Sequence, residues 1–244
     1  MLKRTITFAY IFLNFSHNRF MKKILALLLI ILTGYIHAII YHPNCVKAAV
    51  KEKTVYLTFD DGPSKNTEEI LKILKDNGVN ATFFVIGENV LTHKSTTKKT
   101  VLQGNAIGIH SHTHNYKRIY QSPQTLLKDI DDCISAVKSV LPDYKITLYR
   151  FPGGSFNLSD GLKRVPQKRN LTYYDWNASC RDCELKDYTP DDLISSCIAT
   201  GVNKNKIILL IHDSPDKQRS VKALQGIIDY YKNSGYNFKT LRPE

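Results

Sequence analysis

From Thr54 onward, short runs of apolar, branched and aromatic residues alternate with longer stretches whose apolar residues recur every three or four positions. The runs at 55–59, 81–86, 106–110, 146–150, 171–176, 207–212 and 236–239 read as strands. The stretches at 67–76, 123–141, 191–199 and 221–231 read as helices. Ser122 before Pro123 and Thr189 before Pro190 supply helix starts, and Gly78 and Gly201 supply stops. Seven successive βα-type units demand a parallel sheet with helices outside it. At this length a closed or nearly closed barrel fits better than an open doubly wound sheet. Neither a G-x-G-x-x-G after the first strand nor a phosphate-binding loop occurs, so nucleotide chemistry has no foothold.

The residues before this rhythm have a different character. Residues 1–49 hold six basic residues and no acidic one. From Met21, two lysines precede the apolar run at 24–32, and a weaker apolar stretch continues to Ile40. This is the layout of an export signal, with Met21 as the expected true start. Val46-Lys47-Ala48 suits a cleavage point. The alternative is an uncleaved membrane anchor, since the run is about long enough to span a bilayer with its flanks. Either way the expectation is an exported protein, secreted or held at the outer face of the membrane. The expected domain then runs from 50 to 244.

The charge follows this division. The chain carries +12 overall, but residues 50–244 hold 28 basic against 22 acidic residues, or +6. No dense basic stripe interleaved with aromatics remains, so a nucleic-acid partner is not expected. Membrane contact is expected only through the first segment, and the domain is expected to be a monomer.

In βα folds chemistry gathers where strands end. Five of the expected strands run into polar residues there. The first ends in Thr58-Phe59-Asp60-Asp61-Gly62 and the third in His110-Ser111-His112-Thr113-His114. The fourth ends in Arg150-Phe151-Pro152-Gly153-Gly154, the fifth in Asp175-Trp176, and the sixth in Leu210-Ile211-His212. Neighbouring strand residues face opposite sides, so both aspartates serve one site only if the chain curls out at Asp60, which Gly62-Pro63 permits. The bland reading of the pair is a helix cap. His110 and His114 share a side if the segment has helical pitch. With one carboxylate they make a three-ligand site that leaves room for water and suits Zn²⁺ or another divalent ion. His112 is left open between solvent, support and substrate rim. Arg150 can grip a carboxylate with two prongs. His212 is either a satisfied core residue or an acid/base group. Asp175 can orient an imidazole. Trp176 is either a sugar-facing wall or packing, and Leu210 shares the His212 face of its strand.

Together these strand ends resemble the polysaccharide deacetylase family, the NodB-homology carbohydrate esterases of family 4. TFDDG at 58–62, H-S-x-x-H at 110–114 and R-x-P-G-G at 150–154 carry the likeness. Asp175-Trp176 and Leu210-x-His212 complete it, over about residues 53 to 238. The resemblance implies a distorted (β/α)7 barrel and a metal-dependent deacetylase of cell-surface polysaccharide. It also implies roles: Asp60 as base; Asp61, His110 and His114 as metal ligands, usually for zinc, with Co²⁺, Mn²⁺ or Ni²⁺ as alternatives; Arg150 holding Asp60; His212 as acid, tuned by Asp175. Trp176, Leu210, Pro152 and Gly153 would border the substrate. Peptidoglycan N-acetylglucosamine is the expected substrate. Chitin oligomers, poly-N-acetylglucosamine and acetylxylan are the runners-up. A barrel that only binds carbohydrate is the alternative of another class, and a two-histidine iron oxygenase lacks its usual His-x-Asp spacing. Gly153 stands where many members carry an aromatic, which leaves one wall of the groove more open.

Cys133, Cys180, Cys183 and Cys197 are an even set in an exported chain and allow three pairings, a local Cys180–Cys183 bridge among them. Cys45 precedes the expected cut and sits in no convincing lipidation motif.

Overall fold

The computed structural model describes residues 19–41 and 52–243. The chain divides into two units, 1–51 and 52–244. In the first, α1 (Arg19–Tyr41) is a single 23-residue helix. Leu27, Leu28, Leu29, Ile30, Ile31 and Leu32 on it are exposed. Among the described residues, no helix is long and apolar enough to cross a membrane. Cys45 and the cleavage point at 46–48 lie outside the described residues.

The second unit follows the expected alternation. Its strands are β1 (Thr54–Asp60), β2 (Thr82–Ile86), β3 (Ala106–Ser111), β4 (Leu148–Tyr149), β5 (Thr172–Tyr173), β6 (Ala178–Ser179), β7 (Lys206–His212) and β8 (Asn237–Phe238). The helices are α2 (Lys65–Asp76), α3 (Gly87–Thr92), α4 (Lys94–Leu102), α5 (Tyr116–Ile119), α6 (Pro123–Val140), α7 (Asp160–Lys163), α8 (Pro190–Gly201) and α9 (Gln218–Asn233). A 3₁₀ turn covers Pro166–Arg169. Every strand pairing is parallel, in the order β5-β4-β3-β2-β1-β7-β6, with β8 against the start of β1. The path ends on β5 and β6 instead of closing, so the unit is a distorted (β/α)7 barrel with an opening. The expected strands at 146–150 and 171–176 shrink to two-residue pairings. Arg150 and the residues after Tyr173 peel away to serve the site.

Strand alternation sorts the residues. Val55, Leu57 and Phe59 of β1, Ile107 and Ile109 of β3, and Ile207, Leu209 and Ile211 of β7 join the main core beneath the helices. The alternate residues turn inward. Phe84, Leu148 and Leu241 form a small inner cluster, flanked by Tyr56, Tyr174 and Ile208. Gly108 belongs to this inner set, and a side chain there would strike the Phe84 ring at 2.7 Å. The tail is tied in by the Leu241 N–H donating to Thr82 Oγ1 at 2.9 Å.

The helix starts follow local chemistry. Ser122 and Thr189 close capping boxes with Thr125 and Asp192, each followed by proline. Ser64 caps α2 the same way. Gly78 takes its left-handed conformation just past α2. Gly201, by contrast, is the last residue of α8, with the Tyr231 hydroxyl packed where a side chain would be.

Candidate active site

The inward-facing series on β1 is Tyr56, Thr58, Asp60, and on β7 it is Ile208, Leu210, His212. Registration pairs Asp60 directly with His212. Leu148 of β4 and Arg150 just after it extend the same face, as do Gly108 and His110 on β3. Period-two geometry therefore delivers Asp60, His110, Arg150 and His212 to one end of one face.

Asp61 follows Asp60 with a φ of 75°, in the left-handed region. This is the outward curl that two adjacent carboxylates need. The loop is pinned where the Ile86 N–H meets the Gly62 carbonyl at 2.8 Å and Asn89 donates to the Asp61 carbonyl at 2.8 Å. Asp61 Oδ1 then lies 3.5 Å from His110 Nε2 and 3.2 Å from His114 Nε2. That oxygen is buried and accepts no hydrogen bond. His110 Nδ1 sits 2.8 Å from the Arg150 carbonyl, which can only accept, so Nδ1 donates and Nε2 keeps its lone pair for the site. Burial first, then the neighbouring His110, pushes the His114 pKa down toward the neutral form a metal requires. One unsatisfied carboxylate oxygen and two aimed imidazole nitrogens fit a divalent cation.

The two histidines do not converge through helical pitch. His110 is the last but one residue of β3, and the chain then bends to a left-handed His114 with a φ of 56°. Asp129 of α6 holds this bend. It accepts from Ser111 Oγ at 2.7 Å and from the backbone N–H groups of His112 and Thr113 at 3.0 and 3.3 Å. Ser111 Oγ in turn accepts the His114 N–H at 2.9 Å. His112 points elsewhere, with its ring against Gly87, lining a separate hollow with Glu88 and Asp132.

Arg150 is completely buried. Its grip is not two-pronged on a carboxylate. Nη1 donates to Asp60 Oδ1 at 2.9 Å and to Thr58 Oγ1 at 2.7 Å, and Nε donates to the Tyr174 carbonyl at 2.9 Å. The guanidinium lies 4.2 Å over the Phe84 ring. Burial pushes its pKa down from the ordinary value, and Asp60 holds it up. Asp60 Oδ2 stays clear of this grip, 3.9 Å from His110 Nε2.

The orientation expected from Asp175 comes from another residue. His212 Nδ1 is 2.7 Å from Asp182 Oδ1. Asp182 Oδ2 accepts the His212 backbone N–H at 3.0 Å and the Ser220 hydroxyl at 2.7 Å. Burial presses the His212 pKa down, but Asp182, Cys183 and Asp60 outweigh it and lift the value to about 11. Asp175 is instead occupied by the Ser155 backbone N–H at 2.9 Å and the Ser155 hydroxyl. It shapes the turn after Arg150. The residue after His212, Asp213, is also buried; desolvation and the charges of Asp61 and Asp60 lift it to about 7.

Asp60, Asp61, His110, His114, Asp182 and His212 line a cavity of about 290 Å³, together with Gly153, Trp176, Leu210, Tyr116 and Cys183. A larger hollow of about 540 Å³ among Tyr56, Tyr174, Phe238 and Arg242 lies apart from them. Pro152 is buried and does not line the site; its carbonyl accepts the Tyr120 hydroxyl at 2.7 Å. The wall expected to be open at Gly153 is filled by Tyr116. A side chain on Gly153 would meet the Tyr116 ring at 2.9 Å, and Gly153 has a φ of 72°. Tyr116 packs edge-on against His114 at 5.0 Å, and Phe156 packs edge-on against Trp176 at 5.5 Å.

A family model described as polysaccharide deacetylase matches residues 47–172. The chain belongs to the polysaccharide deacetylase family. It is therefore a hydrolase acting on carbon–nitrogen bonds of acetylated polysaccharide. The deacetylase is 32% identical over 200 residues to a peptidoglycan-N-acetylglucosamine deacetylase of Bacillus cereus, covering 80% of this chain and 71% of that one. Its fold is similar to a Streptococcus mutans CE4 esterase, with a TM-score of 0.74 and 31% identity over 78% of this chain and 87% of that one. It is also similar to the catalytic domain of a peptidoglycan N-acetylglucosamine deacetylase from Eubacterium rectale. There the TM-score is 0.70 and the identity 32%, over 78% of this chain and 89% of that one.

Three residues that build this candidate site do not stand out in the sequence: Asp182, Asp129 and Tyr116. Asp182 carries a local signal, lying inside the charged C-x-x-C segment just after the fifth expected strand. Asp129 sits at a helical position that reads as solvated, and Tyr116 follows the histidine motif as an ordinary aromatic. All four cysteines among the described residues are free. Cys180 and Cys183 do not pair. Cys180 is buried beside the Cys197 thiol, while Cys183 is exposed at the cavity.

Proposed function

We propose that the protein is an exported, metal-dependent N-deacetylase of peptidoglycan, acting on its N-acetylglucosamine residues. The observation that carries this reading is the convergence of Asp61, His110 and His114 beside Asp60 and His212 in one cavity. Zinc is the preferred ion for a donor set of two imidazoles and one carboxylate. Held there, it would polarise the acetyl carbonyl and acidify a water.

The chain's own residues supply the rest. Arg150 fixes Asp60 Oδ1 and leaves Oδ2 to accept the proton of the attacking water. Asp182 holds His212 by Nδ1, so Nε2–H faces the cavity as the donor to the departing sugar amine. Water adds to the amide, the carbon–nitrogen bond breaks, and acetate and a free amine leave. One proton enters at Asp60 and one leaves from His212, so the enzyme returns to its starting state through exchange with solvent. Trp176 and Leu210 border the acetyl group, and Tyr116 closes the wall above Gly153.

The relatives named for peptidoglycan support that substrate. The lightly basic domain suits an anionic wall. The lysines at 22 and 23 ahead of an apolar run support export, with the segment removed or kept as an anchor. Acetate release from a panel of acetylated glycans tests the reading: peptidoglycan should be cleaved, and a preference for acetylxylan would overturn the substrate assignment.

A further inference from the structure

A second group of donor atoms lines the same cavity and is not used as a ligand set in the chemistry above. Asp182, Cys183 and His212 bring a carboxylate oxygen, a thiol sulfur and an imidazole nitrogen within 4.8 Å of one another. Cys183 Sγ lies 3.4 Å from His212 Nδ1, which lies 2.7 Å from Asp182 Oδ1. Asp182 Oδ2 is committed to the His212 N–H and Ser220, so Oδ1 is the oxygen free to change partner. Asp182 is buried and Cys183 exposed, which leaves the trio open on the cavity side. None of these atoms belongs to the Asp61, His110 and His114 cluster.

We propose that Asp182, Cys183 and His212 form a second cation site, selective for a thiophilic divalent ion such as zinc or cadmium, and that loading it suppresses turnover. Sulfur, nitrogen and oxygen donors at this spacing match a three-ligand zinc site with one position left for water. Binding releases the thiol proton and the His212 Nδ1 proton to solvent, and no electrons move. The suppression rests on His212 being the acid, as proposed above. With an ion on Nδ1, giving up the Nε2 proton would leave a metal-bound imidazolate instead of a neutral imidazole, so the acid is disabled. A scarce ion then activates through the first site, and an abundant one inhibits through the second.

Cobalt(II) titration of the full chain tests this. Only the second site contains sulfur, and the other described cysteines are buried. The wild type should develop a thiolate-to-cobalt charge-transfer absorption. His114→Ala should keep that band. Cys183→Ser should lose it and bind one equivalent fewer. Excess zinc should slow wild-type acetate release about a hundredfold at saturation, the scale of a lost general acid, and slow Cys183→Ser far less relative to its own starting rate. No band in the wild type, or a band that survives Cys183→Ser, would overturn the site. A band without inhibition would overturn the suppression. A protein that releases no acetate under any condition would count against the deacetylase reading alone, while the cobalt band would still decide whether the second site exists.

Discussion

Asp182→Asn tests how the acid is built. In the wild type, Asp182 Oδ1 lies 2.7 Å from His212 Nδ1, and Oδ2 takes the His212 N–H and the Ser220 hydroxyl. A hydrogen bond to a charged group contributes about 1.5–3 kcal/mol. At about 1.36 kcal/mol per pKa unit, its loss lowers the His212 pKa by about one to two units. The folded value near 11 is above the ordinary 6.5, so His212 stabilises the fold fully below about 6.5 and loses that contribution as pH rises through about 11. The variant should therefore melt earlier at neutral pH, and its deficit should shrink as pH climbs toward 11. The basic limb of kcat/KM for acetate release should move down by the same one to two units, and the plateau should fall about a hundredfold. Asp175→Asn should leave the limb where it is, because Asp175 serves Ser155. An unmoved limb and melting curve in Asp182→Asn, or a shifted limb in Asp175→Asn, would refute this assignment.

Other outcomes follow from the same geometry. Asp60→Ala should abolish turnover while the protein still binds its ion, measured by metal analysis after dialysis; Asp61→Ala should lose the ion as well. Arg150→Met should lower stability by about 3–5 kcal/mol in denaturant unfolding, because it strands the buried Asp60 carboxylate. Tyr116→Ala should raise KM for glycan oligomers by about two- to tenfold with little change in kcat, the worth of one aromatic contact of about 0.5–1.5 kcal/mol.

The strand-end groups are readable in the sequence because period-two alternation leaves a plain trace. Thr58 and Asp60, Leu210 and His212, and Gly108 and His110 are each two apart, and each pair shares the inward face. Registration adds what spacing alone does not contain: Asp60 lies beside His212, far along the chain, because β1 and β7 pair directly. The short strands are harder to delimit, since two-residue pairings such as Leu148–Tyr149 carry almost no periodic signal. The partner of His212 escapes the sequence for a related reason. Asp175 ends the fifth expected strand and Asp182 follows it, and only the pairing of Ala178–Ser179 with β7 decides which carboxylate reaches the imidazole. The Asp129 clamp is a long-range contact from α6 to the histidine bend, with no local pattern to announce it. The fate of the cysteines is likewise set by packing: Cys133 and Cys197 lie on the buried faces of α6 and α8, Cys180 is buried, and Cys183 is exposed.

One cation and this set of side chains are expected to hydrolyse N-acetyl groups of cell-wall glycan. The direct measurement is acetate and free amine released from purified peptidoglycan by the full-length chain, with and without chelator. The two products should appear in equal amounts, both should be lost on chelation, and both should recover when zinc is restored in stoichiometric quantity. Zinc-loaded protein that releases neither product from peptidoglycan or any other N-acetylglucosamine polymer would contradict this expectation.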